Sequence, residues 1–148
     1  MSEVRPSLSA QNVEVVRATL DSVAEVDPFS PTAASRLLAV CHPNVEWDVS
    51  ALWPDGTVYR GRSGVVRFFR RWLGAWESYD FEVEELLDKG EHVVVIMRER
   101  GTAKGTGAEV DHRFAQVWTL RDGRVIRWRA YPGREEAPAV LRRAKERE

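Results

Sequence analysis

The sequence contains one cysteine, Cys41, only three lysines beside nineteen arginines, and no long apolar run. Each shortage excludes something. A lone cysteine cannot close a disulfide within the chain, so a reducing compartment is its natural setting. The longest apolar run, Val93 to Met97, is far short of the roughly 20 residues that a bilayer-spanning helix needs. The opening "MSEVRPSLSA" lacks the apolar stretch of a secretory signal. Together these readings place the chain in the cytoplasm, with no membrane partner. Net charge is −1 at pH 7, so the overall field does not favour nucleic acid or another polyanion.

What is present is an ordinary globular balance. Of 148 residues, 43% are hydrophobic and 30% charged, enough for one domain with a sizeable core. We expect a single domain over 1–148, with its core at about 9–137 and an exposed tail at 138–148. Val13, Val16, Leu20 and Val23 recur at helical spacing and predict a helix from about Ser9 to Val26. Ser30 with Pro31 predicts a capped second helix through Leu37, Leu38 and Val40. "VEWDV" alternates as a strand, and Tyr59 begins a short return. Ser63 is placed to cap a third helix running to about Tyr79, with a stripe of Val65, Val66, Phe69, Trp72, Leu73 and Trp76. After Asp80 the pattern is strand: "FEVEELL", "HVVVIMRER", "EVDHRFAQVWTL" and "RVIRWRA". Helices first and an antiparallel meander last make an α+β plan, one sheet covering helices on one face.

The register of the last hairpin decides what the inner face holds, because a one-residue slip exchanges the two faces of a strand. A two-residue loop at Asp122-Gly123 pairs Arg121 with Arg124 and sets Arg127 and Arg129 beside Gln116 and Trp118. A three-residue loop pairs Leu120 with Arg124 and Trp118 with Ile126. It leaves Phe114, Trp118, Ile126, Trp128 and Ala130 inside, and Arg113, Val117, Val125, Arg127 and Arg129 outside. Burying unpaired guanidinium groups costs more than burying indoles gains, so we expect the three-residue loop. The inner row is then apolar, with His112 and Gln116 embedded in it.

The segments "HPNVEWDV", "GTVYRGRSGVVRFFRRW" and "RFAQVWTLRDGRVIRWRAY" occur in an order that resembles the SnoaL-like branch of the nuclear transport factor 2-like superfamily. The resemblance spans roughly Val13 to Ala137. It implies a cone: N-terminal helices packed in a strongly bent antiparallel sheet, as in cystatin-like folds, with a pocket at the open end. It also implies a homodimer through the outer sheet face. Relatives in that superfamily include ketosteroid isomerase, polyketide cyclases, limonene epoxide hydrolase and scytalone dehydratase, so the fold alone does not name a reaction.

The catalytic residues of these relatives are mostly missing. Where the isomerase has its base, this chain has Val49, with Asp48 one residue early. Its oxyanion tyrosine falls on Thr19, and its protonated aspartate on Gln116, which still donates a hydrogen bond. Arg98 matches the arginine of the epoxide hydrolase, but Arg100 and Ala130 stand where its two aspartates belong. The cyclase base falls near Gly133 and Arg134.

The remaining candidates are therefore few. His112 is the candidate base, since histidine suits proton transfer near neutral pH; Asp48 is a second catalytic candidate if a bulge re-aims it. Trp47, Trp53, Tyr59, Phe69, Trp72, Arg98, Phe114, Gln116, Trp118 and Trp128 are expected to contact a ligand. His42, His92 and His112 lack metal-ligand spacing, so we expect no metal and no cofactor. We further expect Arg98 to stand directly across from His112, with a hairpin centred on Gly105. The expected function is an apolar, tryptophan-lined pocket for a small hydrophobic or polycyclic molecule, binding it rather than carrying out a named reaction. Two other readings remain: a small-molecule isomerase, cyclase, dehydratase or hydrolase using His112, and a dimeric interaction module without a ligand.

Overall fold

The computed structural model describes residues 7–52 and 56–133. Two helices open the chain. α1, Leu8–Ala24, begins where the Ser7 hydroxyl accepts the Ala10 N–H at 3.1 Å, and it buries Val16 and Leu20. α2, Pro31–Leu38, has Ser30 as its cap and Pro31 in its first turn, and buries Leu37. β1, Cys41–Asp48, and β2, Val58–Arg60, form the first strand pair. α3, Gly61–Leu73, is followed by β3 (Trp76–Lys89), β4 (His92–Ala103), β5 (Glu109–Arg121) and β6 (Arg124–Tyr131). The six strands form one sheet in the order β2-β1-β6-β5-β4-β3. Helices precede the meander, so the fold is the α+β plan that the pattern implied, with the curved sheet that the family resemblance implied. No helix among the described residues is long and apolar enough to cross a membrane.

Four expectations need correction. First, α3 is not capped by Ser63 and does not reach Tyr79. It starts after Arg60, without a side-chain cap, and ends at Leu73. Trp76 belongs to β3, where its ring lies on the backbone of Gly101. A Cβ there would come within 2.7 Å of the indole, so this glycine is what lets the ring dock onto the sheet. Tertiary packing overrides the helical spacing of Trp72 and Trp76. Second, β1 begins at Cys41, not at Val45. The Val125 N–H reaches the Val40 carbonyl at 2.8 Å, and Cys41 pairs with Val125. The ladder then skips to Glu46, because Pro43 has no N–H to give it. This β1–β6 pairing is parallel, the one departure from an antiparallel sheet.

Third, the β5–β6 loop has two residues, Asp122 and Gly123, both left-handed at φ 53° and 76°. That is the geometry of a tight two-residue hairpin. Arg121 pairs with Arg124 and Leu120 with Val125, yet Thr119 pairs with Arg127. Ile126 is therefore an extra residue, a bulge, and beyond it the parity of β6 is reversed. Trp118 faces Trp128 instead of Arg127 or Ile126. The arginines stay outside, as the cost of burying them requires, but the bulge achieves it and not the loop. Val125, expected outside, is fully buried in the main core, and Ile126 is only partly buried. Fourth, the β4–β5 register is one residue away from the expected one. Glu99 faces His112, and Arg98 faces Arg113.

The two faces of the sheet carry separate clusters. Inside, Trp47 and Trp128 stack at 4.2 Å and 9°, with Phe68, Trp118, Met97 and Val65 around them. Outside lies a strip of small aliphatics, Leu87, Val94, Ile96, Ala115 and Val117, with Tyr131 against it. Ion pairs surround that strip, among them Arg98–Asp111 at 2.7 Å and Arg113–Glu84 at 2.7 Å.

Candidate functional site

A cavity of about 360 Å³ opens between the helices and the inner sheet face. Helices contribute Leu20, Leu37, Phe69 and Trp72; strands contribute Trp47, Met97, Trp118 and Trp128. Its size is at the lower end of the range for small-molecule sites, about 300–1,000 Å³. Among the described lining residues the only ionisable side chains are Tyr79, Glu99 and His112; no lysine or arginine reaches it.

Those three side chains form one polar patch across three strands. Glu99 and His112 are directly opposed on β4 and β5, and Tyr79 sits on β3 one step diagonal from Glu99. Glu99 is buried, at 7% exposure. One carboxylate oxygen accepts the Tyr79 hydroxyl at 2.8 Å, and the other is 2.5 Å from His112 Nε2. Burial, then the charge and hydrogen bond of Glu99, hold the Tyr79 phenol well above its ordinary range, so its proton stays on oxygen. Trp72 and Trp76 clamp the Tyr79 ring, at 4.5 and 5.2 Å between centroids. The His112 side chain is 45% exposed, which sets it at the cavity rim, and its ring stacks on Phe114.

Deeper on the same row, Gln116 accepts the Trp118 indole N–H at 2.8 Å and turns its amide nitrogen toward the Met97 sulfur at 3.6 Å. The indole N–H groups of Trp47 and Trp128 are buried without an acceptor among the described residues.

Of the side chains expected at the site, Trp47, Phe69, Trp72, His112, Phe114, Gln116, Trp118 and Trp128 line this cavity. Three lie elsewhere. Asp48 is on the outer face, bound by the Ser50 N–H and hydroxyl and 3.9 Å from Arg129. Arg98 is also outside, in a two-pronged pair with Asp111 that lowers the Asp111 carboxyl and raises the guanidinium. Tyr59 lines a separate hollow beside Arg71 and Trp72. Trp53 lies outside the described residues.

Glu99 and Tyr79 are the functional candidates that the sequence reading missed. A signal for Glu99 existed: Val93, Val95, Met97 and Glu99 share one parity, and the first three pack in the inner core. The unbroken apolar run "VVVIM" hides that parity. Cys41 is buried, and burial pushes its thiol up to about 11, which makes it an unreactive core residue. No cluster of three metal-ligating side chains occurs among the described residues.

Comparison with known proteins now adds a lineage. The SnoaL-like domain description matches residues 12–128. A nuclear transport factor 2-like protein from Burkholderia thailandensis has a similar structure. It is 27% identical with a TM-score of 0.70, the match covering 81% of this chain and 88% of that one. A SnoaL-like polyketide cyclase, so described provisionally, from Jannaschia is 21% identical, with a TM-score of 0.73 over 88% of this chain and 90% of its own. A protein of unknown function from Burkholderia pseudomallei is likewise 21% identical, with a TM-score of 0.70 over 88% and 97%. No curated protein matches the sequence.

Proposed function

The chain belongs to the SnoaL-like family, and we propose that it binds one small, flat, largely apolar molecule in the aromatic cavity. The observation that carries this reading is an unfilled cavity of about 360 Å³ walled by indole and phenyl rings. A ligand burying as much surface as one aromatic side chain, about 150–250 Å², gains roughly 4–6 kcal/mol from apolar contact. Association costs consume much of that. Micromolar affinity, about 8 kcal/mol, therefore needs polar contacts as well, and Tyr79, Glu99, His112 and Gln116 are the groups placed to supply them. A neutral naphthalene dye is expected to quench the tryptophan fluorescence on titration. Unchanged emission up to the solubility limit of the dye would rule the reading out.

Binding is preferred to a named reaction because Val49, Thr19 and Ala130 occupy positions where the relatives keep an acid or a phenol. One observation favours a second reading, an isomerase, cyclase, dehydratase or hydrolase that uses His112. A buried carboxylate orients the imidazole, the arrangement by which general bases are commonly held. We also propose a homodimer through the outer sheet face, whose arginines and acids surround the buried strip of Val94, Ile96, Ala115 and Val117 and suit a polar two-fold contact.

A further inference from the structure

The hydrogen bonds around Glu99 fix more than the position of His112. Both carboxylate oxygens are occupied, one by the Tyr79 hydroxyl and one by His112 Nε2. Tyr79 keeps its proton, so it is the donor in its bond, and Glu99 accepts on both sides. A carboxylate has no hydrogen to give. The hydrogen shared with the imidazole must therefore sit on Nε2, and in neutral imidazole the lone pair is then on Nδ1. Nδ1 has no hydrogen-bond partner among the described residues, and the ring lines the cavity rim.

We propose that His112 Nδ1 is a dedicated hydrogen-bond acceptor for the bound molecule, so the cavity selects flat apolar ligands that present an O–H or N–H at its mouth, hydroxyarenes above all. Glu99 is the positioning residue that sets this tautomer, and Tyr79 in turn holds Glu99. The same geometry disfavours the corresponding ether, which brings a second acceptor against a lone pair. An anionic ligand also meets no lysine or arginine among the described lining residues, only Glu99. The inference rests on the cavity being a ligand site.

The test is calorimetric titration of the full chain with 2-naphthol and with 2-methoxynaphthalene in mildly alkaline buffer. One neutral hydrogen bond is worth about 0.5–1.5 kcal/mol, so 2-naphthol should bind roughly three- to tenfold more tightly. In His112→Phe the preference should vanish, the two compounds then binding with equal affinity to the same variant. Nitrogen-15 NMR of the free protein should show His112 protonated at Nε2 and bare at Nδ1. Equal affinities, a preference that survives His112→Phe, or a proton on Nδ1 each overturn the proposal. If neither compound binds, the cavity reading itself falls, and this inference with it.

Discussion

The two faces of this sheet are built from the same strands, residue by alternate residue, yet they manage charge in opposite ways. The inner face takes large rings and admits few polar groups, chief among them the linked Tyr79–Glu99–His112 patch. The outer face takes small aliphatics and strand arginines paired with acids, as Arg98 is with Asp111 and Arg113 with Glu84. Inside, one unpaired charge would be costly because its neighbours are buried rings; outside, charges are cheap and individually contribute little. The difference teaches where substitution effects should be large.

The sharpest way to break the contrast is to move an outer residue type inside. Trp128→Arg sets a guanidinium against Trp47 and loses a 4.2 Å stack. Losing a buried aromatic costs about 3–5 kcal/mol, and the unpaired charge adds to it. Urea denaturation should show at least that loss, whereas Arg127→Met, one residue away on the outer face, should stay within about 0.5 kcal/mol. Comparable losses for both would mean that the faces are wrongly assigned.

Next in size is assembly. Light scattering at micromolar concentration should give twice the chain mass, and Arg113→Glu, which sets a like charge against Glu84 on the outer face, should halve it. A monomer in the parent protein would remove the proposed contact.

A smaller effect tests the inner polar patch through pH. The Tyr79 phenol is raised in the folded state, first by burial and then by Glu99. The stabilisation this brings is complete below the ordinary tyrosine value near 10 and is lost as pH climbs above it, because the unfolded chain then sheds the proton that the folded chain keeps. Tyr79→Phe should flatten the alkaline fall in unfolding midpoint, and Glu99→Gln should reduce it. An alkaline limb identical in all three proteins would show that the phenol is not confined.

The smallest effect belongs to Arg98. Its pair with Asp111 is exposed, so Arg98→Met should leave both the urea midpoint and dye binding unchanged. A loss of binding would bring Arg98 back to the cavity, where the sequence reading had placed it.

How much was legible in advance differed between the same two faces. Element order and the aromatic inner row were readable, and eight of the twelve side chains expected at a site line the cavity, because large rings at alternate positions state their own burial. The partner of His112 was not. Register in β4–β5 depends on whether the loop turns at Gly105 alone or uses Gly105 and Gly107 together, and both have positive φ. That single step exchanged Arg98 for Glu99 and so changed the expected partner from a cation to an acid. The end of α3 was hidden for a related reason. Trp72 and Trp76 fit a helical stripe, and only the space above Gly101, a long-range fact, draws Trp76 into β3.

The bulge at Ile126 has one consequence for how this chain tolerates changes in length. It works as a frame-shift suppressor written into protein: the chain carries one residue too many after the tight Asp122-Gly123 turn, and the bulge absorbs it before Arg127. Deleting Ile126 should therefore leave Thr119 opposite Arg127 and Trp118 opposite Trp128, a regular hairpin with the arginines still outside. A residue inserted between Arg127 and Trp128 should instead turn Trp128 outward and Arg129 toward the ring-lined interior, and prevent folding. Length changes in this hairpin are therefore survivable at the bulge and not beyond it.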